Sequence, residues 1–195
     1  KVAVTAPDGG VRTLTARHAV AVSTGSDAAI PPIPGLHEAN PWTSREATSA
    51  EEIPASLVVI GGGVVAVEMA TAYASLGAEV TVLARSGLLG SVEPFAAGLV
   101  AEGLRALGVD VRTGVVTKSV ARDADGVTVS TDGGDVRAAE ILVATGRTPR
   151  SGDIGLETVG LPAGRWIRTD DTLCVPGVDW LYAVGDVNGR VLLTH

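Results

Sequence analysis

Between residues 56 and 86 the hydrophobic pattern changes period in a telling order. An unbroken apolar run, Leu57-Val58-Val59-Ile60, stops at Gly61-Gly62-Gly63, and a helical pattern of small and apolar residues follows. Gly77 ends that helix, and Glu79-Val80-Thr81-Val82-Leu83 predicts a second strand. Unbroken apolar runs of this length fit strands buried on both faces, as in a parallel sheet. Strand, glycine turn, helix and strand in this order form the βαβ unit that binds the pyrophosphate of a dinucleotide.

The pattern continues past this unit. A second helix is predicted from Pro94 to Leu107, with Phe95, Leu99, Leu104 and Leu107 near helical spacing and Gly108 as its stop. Val109 to Arg112 predicts a third parallel strand, and Ile141 to Ala144 closes the nucleotide domain. Thr48 to Glu51 fits a capping box for a short helix stopped before Pro54. Residues 28–42, AAIPPIPGLHEANPW, are too rich in proline for regular structure.

An internal similarity adds to this. Residues 1–25 and 126–146 both run through an alternating strand, an Asp-Gly-Gly turn, a second strand and an apolar strand ending in Thr-Gly. Alternation around an Asp-Gly turn signals a hairpin. Two copies of a β-meander feeding a buried strand suggest two dinucleotide-type domains on one plan, one complete and one partial. The expected fold is α/β: a Rossmann-like parallel sheet with helices on both faces, a β-meander on one side, and partial elements of a second domain.

Each position of the glycine turn has its own task. Gly61 lets the chain leave the strand sharply, and Gly63 leaves room for backbone N–H groups to approach a pyrophosphate at the positive end of the helix. Ala66 is small enough for helix and strand to pack closely. At the end of the second strand, NAD-binding units usually carry a carboxylate for the ribose 2′-hydroxyl, whereas an arginine suits a 2′-phosphate. Here stand Ala84, Arg85 and Ser86. Arg85 offers a fork of donors with no carboxylate to repel the phosphate, so NADP(H) is expected, with NAD(H) possible.

Composition narrows the partners. A net charge of −7 argues against nucleic acid or an anionic membrane. No apolar stretch is long enough to span a bilayer and no signal peptide is visible, so a cytoplasmic location is expected. The single cysteine, Cys174, permits no internal disulfide and fits a reducing compartment. No metal-ligand cluster is visible. The first residue is Lys1 and the chain opens directly in a strand pattern, which suggests a piece of something longer. Near its end, a buried strand from Trp180 to Val184 delivers Gly185-Asp186 into a loop, where the carboxylate either meets a ligand hydroxyl or caps its own turn.

Ser23-Thr24-Gly25, the turn GGGVVAVE (Gly61 to Glu68), Ala144-Thr145-Gly146-Arg147 and Tyr182-Ala183-Val184-Gly185-Asp186 follow one another in this chain. Together they resemble the flavin-dependent pyridine nucleotide–disulfide oxidoreductases, the group that includes dihydrolipoyl dehydrogenase, glutathione reductase and mercuric reductase. The resemblance implies nicotinamide-nucleotide binding at Gly61, Gly62, Gly63, Val64, Val65, Ala66, Arg85, Ser86 and Gly146. It implies flavin contacts at Thr24, Gly25, Arg147, Gly185, Asp186 and the Leu193-Thr194 backbone. Glu68 would lie close to nicotinamide and flavin as the catalytic candidate, or be merely an acid placed for the helix dipole.

The resemblance further implies FAD in the intact protein, a disulfide or other small-molecule acceptor, and a homodimer. The family's own flavin GxGxxG, its redox cysteine pair and its C-terminal catalytic histidine are not seen in this chain, so these residues alone are expected to be inactive. The implied organisation is a partial FAD-domain segment over 1–50, the NAD(P)-binding domain over 51–146 and a return segment of the FAD domain over 147–195. Two alternatives stay open: a reductase of the same fold without the disulfide, such as an NADH oxidase or ferredoxin reductase, and a nucleotide-binding module without turnover.

Overall fold

The computed structural model describes residues 1–192. The chain opens with strands β1 (Val2–Thr5), β2 (Val11–Leu14), β3 (Val20–Val22) and β4 (Ser26–Ala28), followed by helix α1 (Ser44–Ser49). Strand β5 (Ser56–Ile60), helix α2 (Val64–Ser75), strand β6 (Glu79–Ala84), helix α3 (Pro94–Ala106) and strand β7 (Asp110–Thr113) come next. The remaining strands are β8 (Thr117–Asp123), β9 (Gly126–Thr131), β10 (Gly134–Ala138), β11 (Glu140–Val143), β12 (Arg147–Pro149), β13 (Cys174–Val175) and β14 (Val178–Ala183). The described residues form two compact units, one of Ala28–Arg147 and one of 1–27 with 148–192.

In the unit formed by Ala28–Arg147, a four-stranded parallel sheet has the order β11-β5-β6-β7. Successive side chains of a strand point to opposite faces, and β5 uses both. Leu57 and Val59 enter a core with Ala66, Ala70 and Tyr73 of α2 and Leu104 of α3. Val58 and Ile60 enter a second core with Val120, Val127, Val129 and Val136 of the antiparallel meander β10-β9-β8.

The layers are therefore helices, sheet, meander. The helices lie on one face, not on both as expected, because the meander occupies the other face and buries its valines there. The expected apolar stripe of α3 is corrected as well. Leu104 is buried, but Phe95 and Leu99 are 73% and 63% exposed, and the helix packs through Val100 and Ala101 instead.

Both helix stops fall at glycines with left-handed backbone, Gly77 (φ 96°) and Gly108 (φ 86°). Ala78 N–H donates to Tyr73 O and Val109 N–H to Leu104 O, each at 3.0 Å, which consumes carbonyls that the helix end leaves open.

This compact unit runs from Ala28 to Arg147 and so takes in the linker before Glu51. Residues of the proline-rich linker extend the sheet: Trp42 N–H donates to Ile141 O at 2.9 Å, and Val143 N–H donates to Trp42 O at 2.8 Å. Leu36 and Ala39 are buried in the core on the meander side.

The capping box of α1 is Thr43 with Glu46, not Thr48 with Glu51. Both stretches have the right spacing. Thr48 instead lies within the helix, where its hydroxyl donates to Ser44 O at 2.8 Å. Thr43 N–H and hydroxyl both donate to Glu46 Oε2, at 2.8 and 2.6 Å. These bonds, the hydroxyl's first, hold the Glu46 carboxyl below its ordinary value of 4.5.

Thr43→Ala is expected to cost about 1 kcal/mol. Because the folded carboxyl is the stronger acid, the box contributes fully above pH 4.5 and is lost as pH falls through the lower folded value. Urea unfolding of the native chain and the variant across pH 3 to 7 tests this; midpoints that differ as much at pH 3 as at pH 7 contradict it.

In the other unit, β14 pairs in parallel with β3 and antiparallel with β13. Leu156, Ile167, Val175, Leu181, Ala183 and Val187 form its core. The β1–β2 hairpin forms around the Asp-Gly-Gly turn, but Val2, Val4, Val11 and Leu14 are all exposed. The second copy of this pattern, β9–β10, buries its valines against the parallel sheet.

Candidate functional site

Parallel strands deliver their following loops to one edge of the sheet, and ligands of open α/β sheets bind there. At that edge, beyond β5 and β6, lies a cleft of about 480 Å³. Gly61 and Gly62 line it from the turn after β5, and Arg85 and Ser86 line it from the end of β6. Ile60, Leu83 and Ala84 of the strand ends, Ala29, Pro31 and Ile33 of the linker, Val115 to Thr117 before and within β8, and Thr145 complete the lining. None of these residues is Asp or Glu.

The turn takes its shape from close approach. Gly61 has φ 139°, and a Cβ there would run into Ala144 O. At Gly62 a Cβ would stand 3.1 Å from both Ala84 Cβ and Gly87 O. Gly63 differs: its φ of −82° is ordinary, and nothing lies within 4 Å of the Cβ position. It is the N-cap of α2 and, having no side chain, leaves the first amides of the helix without a capping bond. Ala66 is fully buried against the strand, while Val64 and Val65 are exposed on the first turn of α2. Glu68 is exposed on α2 and does not line the cleft.

Arg85 and Ser86 are both exposed, and neither makes a hydrogen bond or ion pair among the described residues. Two other cations of this unit, Arg122 and Arg137, contrast with Arg85. Arg122 donates to Ala39 O at 2.7 Å and pairs with Glu140, and Arg137 pairs with Asp123 at 2.9 Å. The Arg137 guanidinium holds the Asp123 carboxyl below its ordinary value. Gly146 has φ 130° and follows Thr145 without itself lining the cleft. Arg147 opens β12 and is exposed.

Within the other unit, the parallel pair β3 and β14 brings Thr24-Gly25 and Gly185-Asp186 to the same strand ends. Ser26, itself buried, donates to Asp186 Oδ2 at 2.6 Å. Thr24 hydroxyl donates to Arg150 O, and Arg150 N–H donates to Gly25 O at 3.0 Å. Gly185 has φ 77° and opens a single 3₁₀ turn. An apolar hollow of about 510 Å³ beside Trp166 and Leu156 contains none of the predicted residues. Leu193 and Thr194 lie outside the described residues.

Sequence reasoning missed part of the cleft. The linker residues and Val115 to Thr117 belong to no glycine turn and carry no charge that would single them out, and Thr145 stands in the Ala144-to-Arg147 marker without a role assigned to it. Ser26 was missed as the partner of Asp186 because 160 residues separate the two. No helix among the described residues is long and apolar enough to cross a membrane.

The chain is similar to known proteins along its whole length. A mercuric reductase of Shigella flexneri is 40% identical over 187 residues, which cover 92% of this chain and 32% of that protein. A dihydrolipoyl dehydrogenase of Acholeplasma laidlawii is 38% identical over 184 residues, covering 90% of this chain and 53% of that one. Among solved structures, LpdA from Mycobacterium tuberculosis matches with a TM-score of 0.85 and 30% identity, over 98% of this chain and 42% of that chain. The matched part of the chain thus spans from 32% to 53% of the length of these relatives. The sequence profile of the pyridine nucleotide-disulphide oxidoreductases matches residues 1–195, both units rather than one of them, and the chain belongs to that family.

Proposed function

We propose that residues 28–147 bind NADPH and that the chain is the nucleotide-binding part of an FAD-dependent oxidoreductase. The observation that carries this is Arg85 beside Ser86, both without a side-chain partner among the described residues, at the rim of a cleft lined by no carboxylate. A guanidinium and a hydroxyl suit a 2′-phosphate, and nothing in the lining repels it. Gly61, Gly62 and the open N-terminus of α2 suit the pyrophosphate, which accepts from backbone N–H groups at the positive helix end.

With both cofactors bound, the available chemistry is hydride transfer from NADPH to flavin and onward reduction of a disulfide or similar acceptor. The task of this chain is to hold and orient. Thr24, Gly25, Arg147, Gly185 and Asp186 are the residues we assign to the flavin, supported by the shared strand end of Thr24-Gly25 and Gly185-Asp186. Ser26 fixes the Asp186 carboxylate by a hydrogen bond, so that carboxylate is oriented before any ligand arrives. Glu68 and Gly146 are assigned to the nicotinamide end, and Val64 and Val65 to the apolar rim beside it. The intact protein is read as a homodimer working in the cytoplasm, a reading supported by family membership alone.

The test is a paired titration of this chain with NADPH and NADH, followed by nicotinamide fluorescence. Wild type is expected to prefer NADPH. Arg85→Ala is expected to weaken NADPH about 10- to 100-fold, the range of a charge-assisted contact, and to leave NADH within about twofold. Equal loss for both nucleotides removes Arg85 as the selector.

A further inference from the structure

We infer that Thr145 is a positioning residue of the cleft, its hydroxyl latching the linker wall in the place a nucleotide requires. The inference rests on reading the cleft as a nucleotide site. One wall is made by Ala29, Pro31 and Ile33, a stretch with neither helix nor strand. Such a wall keeps its shape only where its ends are held, and Pro31 and Pro32 bring no N–H of their own.

The far end is held firmly. Val120 N–H donates to Pro34 O at 2.8 Å, Gly35 passes Val120 O so closely that a Cβ would collide with it, and Ile33 packs against the core that holds the buried valines of the meander. The near end is held by a pair of bonds. Thr145 Oγ1 donates to Ala29 O at 2.8 Å, and Ala29 N–H donates to Gly146 O at 2.9 Å. The second of these bonds is accepted by Gly146, the residue after Thr145, so the two neighbours hold Ala29 together.

Thr145 therefore differs from the other hydroxyls of the cleft. The hydroxyls of Ser86 and Thr117 have no hydrogen-bond partner among the described residues and keep their capacity for a ligand. Thr145 spends its own on the wall. Its removal should weaken both nucleotides alike, since the wall serves the part they share and not the 2′-phosphate. Valine keeps the shape and drops the hydroxyl, whereas serine keeps the hydroxyl and drops the methyl.

The experiment titrates the full chain and its Thr145→Val and Thr145→Ser variants with NADPH and NADH, and follows amide hydrogen exchange over residues 29–33. Thr145→Val should raise both dissociation constants by about three- to tenfold, and Thr145→Ser should return them to within about twofold of wild type. Exchange at Ala29 and Ile33 should quicken in the valine variant only.

Unchanged affinity in Thr145→Val overturns the inference, as does a serine variant as weak as the valine one. A loss confined to NADPH also overturns it, because the hydroxyl would then act at the phosphate end. If wild type binds neither nucleotide, the nucleotide reading fails by itself and exchange decides the latch: quickened exchange sustains it, and unaltered exchange removes it.

Discussion

Gly61→Ala is expected to unfold residues 28–147 at markedly lower denaturant, an effect on the fold before any effect on ligand. The backbone at Gly61 lies at φ 139°, where a side chain is strained by about 1–3 kcal/mol. The added methyl also meets Ala144 O, a backbone atom that cannot swing aside. Both segments are pinned: Gly61 N–H donates to Leu83 O at 3.0 Å, and Ala144 N–H donates to Ile60 O at 2.8 Å. Strain and collision together should cost about 3 kcal/mol or more.

Gly63→Ala separates structure from binding. Its backbone is ordinary and its surroundings are open, so stability should change by no more than about 1 kcal/mol. A methyl there stands where the first amides of α2 would meet a pyrophosphate, and NADPH affinity should fall about tenfold. Urea unfolding and nucleotide titration of both variants make the comparison. A Gly61 variant with the wild-type midpoint would refute the collision. A Gly63 variant with wild-type affinity would mean that the turn does not cradle the ligand.

Leu142→Ala is the second large effect, through a cavity instead of a collision. Leu142 is fully buried in the helix-side core, and truncating such a leucine costs about 2–5 kcal/mol because the surroundings collapse only in part. Its neighbourhood also fastens the linker. Trp42 is hydrogen-bonded to the residues on either side of Leu142, and its ring lies 5.9 Å from that of Tyr73. Tyr73 in turn donates its hydroxyl to Ala47 O of α1 at 2.7 Å. Loss of Leu142 should thus loosen Trp42, which a chain with Trp166→Phe and Trp180→Phe reports by fluorescence. Leu99→Ala is the control: at 63% exposed it should cost no more than about 0.5 kcal/mol. Similar costs at the two leucines would refute the packing face of α3.

Much of this protein is written locally. The run Leu57 to Ile60, the glycine turn, the stops at Gly77 and Gly108 and the hairpin β9–β10 each rest on period or backbone freedom within a few residues. The same holds for Arg85 and Ser86, whose place beside the glycine turn follows from the βαβ order alone. Their position in one cleft with Gly61 and Gly62 needed no distant partner.

Other features depend on segments far away in the chain. Leu99 and Leu104 stand about 140° apart around the helix, so one face cannot bury both, and the sheet decides that Leu104 is the buried one. Thr43 and Thr48 both satisfy the capping spacing, and the choice fell to Thr43 as the linker was drawn onto β11 through Trp42. The wall of the cleft needs Ala29 to meet Thr145, 116 residues on, and Asp186 needs Ser26. The physical reason is common to all of these. Dihedral preference and hydrophobic period act through neighbours in sequence and can be read in order. The burial of a face and the partner of a hydroxyl are set by which surfaces close on one another, and a linear pattern carries no record of that.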